Sequence, residues 1–198
     1  IDRIYALYPY DSSATITDQG VISYNLPAVQ SYATDSFGRG ANSMVAVTGG
    51  TEDTFLAFKN LCGYLKVKLY GDIVVKKVEL KGNAGEKIAG AATITASYGV
   101  EPLVTMSDDA TQTITLDCGQ GVEIGSSQST ATTFWLVVPP TVFADGITLY
   151  ITDSEGVVYG KSTQKRVAIN RNAIQPMVAV EVTGQGDIEM AETIPNNE

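Results

Sequence analysis

Gly63-Tyr64-Leu65-Lys66-Val67-Lys68-Leu69-Tyr70 decides the fold of this chain. Leu65, Val67 and Leu69 alternate with Lys66, Lys68 and Tyr70, so an extended segment has one apolar and one polar face. That is the pattern of a half-buried antiparallel strand. The period of two recurs outward in the chain. Over residues 146–153, Ile147, Leu149 and Ile151 alternate with Thr148, Tyr150 and Thr152; over residues 176–182, Val178, Val180 and Val182 alternate with Ala179 and Glu181. Thr, Val, Ile and Tyr dominate these runs, and such side chains fit a pleated surface. Turn residues fall between them, at Gly82-Asn83-Ala84-Gly85 and Asp153-Ser154-Glu155-Gly156, where hairpins are expected.

No stretch of helical period is long enough for a helix, and residues 26–32 are expected to form one short helical turn at most. Strands are expected at residues 3–8, 21–25, 44–47, 55–58, 63–70, 74–81, 90–98, 113–118, 134–138, 147–153, 157–161, 166–169 and 177–182. The fold class is therefore all-β, an antiparallel β-sandwich with extra N-terminal strands. Residues 55–182 carry enough strands for a complete two-sheet sandwich. Residues 1–54 carry short strands with long polar links and read as the remainder of a first β domain or as strands added to the main one. Residues 183–198 turn polar and acidic and read as a tail or linker.

The bulk numbers agree with one folded globular protein. A chain of 198 residues buries roughly 70% of the surface its unfolded form exposes, so its core needs no disulfide or metal. Hydrophobic residues make up 44% and charged residues 18%, and the mean hydropathy is +0.05, which does not fit disorder. The net charge of −9 disfavours nucleic acid and anionic lipid as partners. No apolar run approaches the about 18 residues of a membrane span. The first residue is Ile1 rather than Met, so a secreted protein that has lost its signal segment is expected.

Catalytic chemistry is not expected. The chain has no histidine, hence no Ser-His-Asp triad, Cys-His pair or imidazole metal ligand. Neither a GxGxxG nor a P-loop pattern occurs. The local acidic clusters, Asp108-Asp109 and Asp153 with Glu155, sit in turns, where carboxylates accept backbone hydrogen bonds. No cofactor and no metal are expected. Trp135 lies in the apolar run Phe134-Trp135-Leu136-Val137-Val138 and reads as core rather than as an exposed sugar platform. Cys62 is expected on the pleat face opposite Leu61, Leu65, Val67 and Leu69, whereas Cys118 shares the apolar face of Ile114 and Leu116. Free thiols are therefore expected over a bridge. Pro139-Pro140 must end its strand or place it at an edge.

The segments at residues 55–94, 133–156 and 167–182 resemble the fimbrillin family of surface proteins. The features that carry the resemblance are Phe58-Lys59-Asn60, the Val78-Glu79-Leu80-Lys81-Gly82-Asn83 strand with its Ile88-Ala89-Gly90 partner, Pro139-Pro140 followed by Gly146-Ile147-Thr148, and Arg171-Asn172 before the closing strand. Residues 5–10 resemble the end of the family's first domain. The resemblance covers about residues 3–182. It implies two transthyretin-like β-sandwich domains and an extracellular, cell-surface protein of Gram-negative gut or oral bacteria. Such a protein is attached to the outer membrane through a precursor lipid anchor that this chain does not contain. In some members a lipoprotein precursor is cut, an N-terminal strand is lost, and a neighbour's terminal strand fills the groove to build a type V pilus. The chain departs from the pattern: it is short, its first domain looks truncated and the lipidated cysteine is absent. Its last residues, 191–198, resemble a linker that in some large surface proteins of these bacteria leads from a fimbrillin-like domain into leucine-rich repeats, which implies a piece of a larger adhesin.

The resulting expectation is a structural or adhesive surface module, either a pilus subunit or part of a larger adhesin. Its partners would be copies of itself or sister subunits, and surface glycans or proteins. Met177, Val178, Val180 and Val182 are the candidate strand-exchange residues. The alternative is a carbohydrate-binding sandwich, for which Tyr8, Tyr10, Tyr24 and Tyr32 are the candidate stacking residues.

Overall fold

The computed structural model describes residues 3–196; residues 1, 2, 197 and 198, the outer ends of the first segment and of the tail, lie outside the described residues. The chain opens with β1 (Tyr5–Tyr8), β2 (Thr15–Ile16), β3 (Val21–Leu26), β4 (Val29–Ala33), β5 (Ser36–Phe37), β6 (Met44–Val47) and β7 (Lys59–Asn60). The long strands follow: β8 (Gly63–Tyr70), β9 (Val74–Gly82), β10 (Gly90–Thr95), β11 (Leu103–Met106), β12 (Thr113–Glu123) and β13 (Thr132–Val138). It closes with β14 (Thr141–Phe143), β15 (Ile147–Asp153), β16 (Val158–Thr163), β17 (Val167–Ile169), β18 (Ala173–Pro176), β19 (Val180–Glu181), β20 (Gly186–Asp187) and β21 (Ile194–Pro195). A single 3-10 turn, Gln128–Thr130, is the only helical element among the described residues.

Alternation builds the larger core. One sheet has the order β20-β16-β15-β9-β12-β4-β5 and the facing one β13-β8-β18-β21, with β19 also on β8. From the first sheet Val78, Leu80, Ile114, Leu116, Leu149 and Ile151 point inward; from the second come Leu65, Val67, Leu69, Phe134, Leu136 and Val138. Each such side chain contributes about 1.5–3 kcal/mol by leaving water. This is the β-sandwich expected from the sequence.

A smaller core lies on the other face of β8 and β13. It is formed by Ile22, Tyr24 and Leu26 of β3, Ala92 and Ile94 of β10, Val45, Leu61, Cys62, Tyr64 and Val137. Tyr64 and Val137 are cross-strand partners on that second face. Sandwiching β8 and β13 between two cores explains why the run from Phe134 to Val138 is apolar at every position: both faces are covered. The N-terminal strands are woven into later ones. β3 pairs antiparallel along the whole of β10, and β4 pairs parallel with β12.

Several expectations need correction. Residues 26–32 form no helical turn, because Val29–Ala33 pairs with β12 and then with β5. Residues 55–58 form no strand, because the ladder on β6 ends at Lys59; Phe55, Leu56 and Phe58 are exposed. Leu61 does not share a face with Leu65. The pleat breaks between β7 and β8, and Leu61 joins Cys62 in the smaller core. Short strands also form outside the expected ones, at Thr15–Ile16, Leu103–Met106 and Thr141–Phe143 among others.

Candidate functional site

The closing strand enters through a left-handed turn. Asn172 has φ +53°, a conformation in which Asn is better tolerated than most residues. Its N–H donates to the Cys62 carbonyl at 2.9 Å. The approach is tight at Gly63, where any Cβ would collide with the Asn170 carbonyl, so a glycine is needed for this backbone to lie against β8.

From there the chain runs parallel to β8. Ile174, Gln175 and Pro176 face Tyr64, Leu65 and Lys66, and Val180 and Glu181 face Leu69 and Tyr70. Between the two ladders the register slips by one residue. Pro176 has no N–H to give, and the ladder resumes with Met177 N–H on the Lys66 carbonyl and Val182 N–H on the Tyr70 carbonyl, both at 2.9 Å. The slip decides which candidate residues point inward. Met177 and Val182 are fully buried, and Val180 packs against the larger core. Val178 faces outward and is 39% exposed, so the expected single run of alternation over 177–182 is broken by an extra residue.

The described part of the tail covers the other edge of this strand. Ile194 pairs with Ile174 and Pro195 with Ala173. Val178 N–H donates to the Glu189 carbonyl and Ala191 N–H to the Pro176 carbonyl, each at 2.8 Å. Gln175 Nε2 donates to the Ala191 carbonyl at 2.8 Å, and Thr193 Oγ1 donates to Gln175 Oε1 at 2.7 Å. Ile188 is buried in the larger core, and β20 adds parallel to β16. Residues 183–196 are thus held against the body rather than standing free as a linker. Lys161 anchors the crossover: its buried Nζ donates to the Thr183 carbonyl at 2.9 Å. Burial pulls that ammonium below the ordinary lysine pKa, opposed by nearby Glu181.

The four tyrosines do not converge. Tyr8 and Tyr10 are exposed, Tyr10 at 87%. Tyr24 is buried in the smaller core with its hydroxyl 3.2 Å from Ser43 Oγ, and Tyr32 packs on Phe134 with ring centroids 5.3 Å apart. Burial removes Tyr24, and ring packing occupies Tyr32, as open stacking faces. Trp135 is partly buried, with Lys66 Nζ 5.1 Å from its ring centroid. Cys62 and Cys118 are free and buried in different cores, and burial pushes both thiols up to about 12. Asp153 is the turn acceptor its position suggests. Its Oδ1 accepts from Glu155 N–H and Val157 N–H at 2.9 Å each, and its Oδ2 accepts from the Tyr159 hydroxyl.

Two polar fixtures leave no mark in the sequence. Asn60 Nδ2 donates to Asn172 Oδ1 at 2.8 Å, which joins two of the motifs that carry the family resemblance. Buried Gln30 grips the backbone of β13: its Nε2 donates to the Val137 carbonyl at 2.8 Å, and its Oε1 accepts from Val137 N–H at 2.9 Å. A lone Gln in a polar-looking segment gives no sequence signal for that role.

No protein-family model matches the chain, and no curated protein matches it at a significant level. Among solved structures, a candidate cell adhesion protein from Bacteroides ovatus aligns at 15% identity over 99% of this chain and 68% of its own, with a TM-score of 0.59. A second, from Bacteroides uniformis, aligns at 15% identity over 98% of this chain and 72% of its own, with a TM-score of 0.52. At such identities the likeness is one of fold. The C-terminally truncated tip fimbrial protein Mfa3 from Porphyromonas gingivalis aligns at 11% identity over 88% of this chain and 79% of its own, with a TM-score of 0.36, too low to carry an inference.

Proposed function

We propose that the chain is a non-enzymatic, adhesive or structural module of the fimbrillin-like kind, working at a bacterial cell surface. Copies of it, or it and sister subunits, join by exchanging the closing strand. The observation that carries this reading is the seating of residues 173–182 along β8. The segment is held by a backbone ladder and by Met177, Val180 and Val182 at its inward positions. These are the parts that strand addition requires: main-chain bonds for affinity and spaced apolar side chains for register. A segment that closes its own sheet can close a neighbour's with the same contacts, so the two arrangements differ little in energy. The tail travels with the strand, because it pairs with its outer edge. The fold shared with candidate adhesion proteins supports the surface role. Under this reading the chain acts outside the cytoplasm, tied to the outer membrane through a precursor's lipid anchor.

The test is a chain lacking residues 183–198 and carrying Val180→Asp, compared with the intact chain by electron microscopy of material from the producing cell. The reading expects the intact chain to form higher assemblies and the altered chain to form none. Assemblies of equal length and number from both would reject it.

A further inference from the structure

A cavity of about 290 Å3 opens between the β4–β5 hairpin, the outer face of β8 and β13, and the end of the tail. This is the low end of small-molecule sites and suits one ring-sized ligand. None of the four tyrosines considered above lines it.

Its walls combine aromatic rings with amides. Phe37 and Tyr64 stack at 5.3 Å and 8°, and Trp135 stands beside them. The indole Nε1 of Trp135 is shielded from solvent and has no hydrogen-bond partner among the described residues, a costly state for a buried donor. Asn42 is held rigidly: its Nδ2 donates to Asn60 Oδ1 at 2.7 Å, and its Oδ1 accepts from the Tyr64 hydroxyl at 3.2 Å. An amide nitrogen carries a second N–H and an amide oxygen a second lone pair, so Asn42 retains capacity for both a donor and an acceptor. Asn196 adds a second amide at one rim, and exposed Asp35 a carboxylate at the other.

We propose that this cavity binds a neutral sugar ring. Hydroxyl groups that both donate and accept match the amides of Asn42 and Asn196. Carbohydrate C–H faces match the aromatic wall, and Asp35 accepts from a ring hydroxyl. A phosphorylated or carboxylated ligand is disfavoured by Asp35 and by the net charge of −9, and a purely apolar ligand would leave the amides unpaired. Side chains fixed in place by one another lower the ordering cost of binding. The cavity shares Tyr64 with the ladder on β8 and Asn196 with the tail, but sugar binding needs no exchange of strands, so a titration of the unassembled chain tests it apart from that reading.

Trp135 is the only tryptophan in the chain, so its fluorescence reports this cavity alone. The test titrates the full chain with glucose, galactose, mannose, fucose, N-acetylglucosamine and N-acetylgalactosamine, with N-acetylneuraminic acid as the anionic comparison. At least one neutral sugar should give a saturable fluorescence change that the anionic sugar does not. Asp35→Ala, at an exposed turn, should weaken that binding about tenfold, the loss expected for a hydrogen bond to a charged group; because Asp35 has φ +55°, Ala strains the turn and lowers the melting temperature slightly, so the titration is made well below it. Calorimetry on Trp135→Phe should show a similar loss, and Tyr10→Ala should bind as the unaltered chain does. The proposal is overturned if no neutral sugar gives a saturable change, if N-acetylneuraminic acid binds as well as the neutral sugars, or if Asp35→Ala leaves the affinity unmoved.

Discussion

Asn60 donates its side-chain amide to Oδ1 of Asn172 at 2.8 Å, across 112 positions of chain. Around this bond Glu101 pairs with both Lys59, at 2.8 Å, and Arg171, and Arg171 Nη1 donates to the Asn60 carbonyl. The entry to β8 and the entry to the closing strand are therefore fastened to each other. Asn172 performs two roles there, a left-handed backbone and an acceptor. Asn172→Ala should cost about 2–4 kcal/mol, the sum of φ strain and an orphaned partner. Asn172→Gly should recover about 1 kcal/mol of that by removing the strain alone. Urea unfolding of the two variants measures the difference; equal losses would show that the backbone conformation contributes nothing.

Gln30 acts as a one-residue strand for β13, closing both backbone groups of Val137 with one amide. Gln30→Leu keeps the bulk but leaves a buried N–H and a buried C=O without partners. The expected loss is about 2–5 kcal/mol, seen as a lower denaturant midpoint with an unchanged slope. A loss below about 0.5 kcal/mol would mean that the amide only fills space.

Asp153 sets an acid limit. Burial raises its carboxyl pKa, but the N–H groups of Val157 and Glu155 and the Tyr159 hydroxyl outweigh this and hold it below its ordinary value of 3.8. A depressed folded pKa gives stability that is complete above the unfolded value and is lost as the pH falls through the folded one. The melting temperature of the unaltered chain should exceed that of Asp153→Asn by a constant margin near neutrality, and the margin should shrink as the pH drops below about 4. A margin that does not change between neutral pH and about pH 3 would remove Asp153 from the account.

Long alternating strands were legible because their own side chains specify them. Gly63–Tyr70, Ile147–Asp153 and Met44–Val47 have the expected bounds. What was not legible depends on partners. Val29–Ala33 is a strand because β12 and β5 accept it, and its sequence alone suited a helical turn equally well. Two cores on the faces of one sheet likewise left no sign beyond the apolar run around Trp135. In the candidate site, Val180 and Val182 were readable as inward residues from alternation, but the slip after Pro176 that turns Val178 outward was not. Tyr24 looked like a surface aromatic, yet its place on β3 puts it under the smaller core. The tail's polar composition concealed its pairing, because Thr193 bonds to Gln175 and Gln175 bonds to the tail backbone at Ala191.

The central claim, that the closing strand can be donated between chains, is tested most directly by a mixed-chain disulfide. Tyr70 and Glu181 are register partners across β8 and β19, and neighbouring strands lie about 5 Å apart, within the roughly 4.4–6.8 Å that a disulfide spans. One population carries Tyr70→Cys and the other Glu181→Cys; the native thiols, buried and shifted to about 12, stay unreactive. The two are mixed under assembly conditions, oxidised and separated by non-reducing electrophoresis. Strand exchange predicts disulfide-linked pairs containing one chain of each kind. A chain carrying both substitutions is oxidised alongside as the control, and linkage that forms within it but never between the two populations would contradict the account.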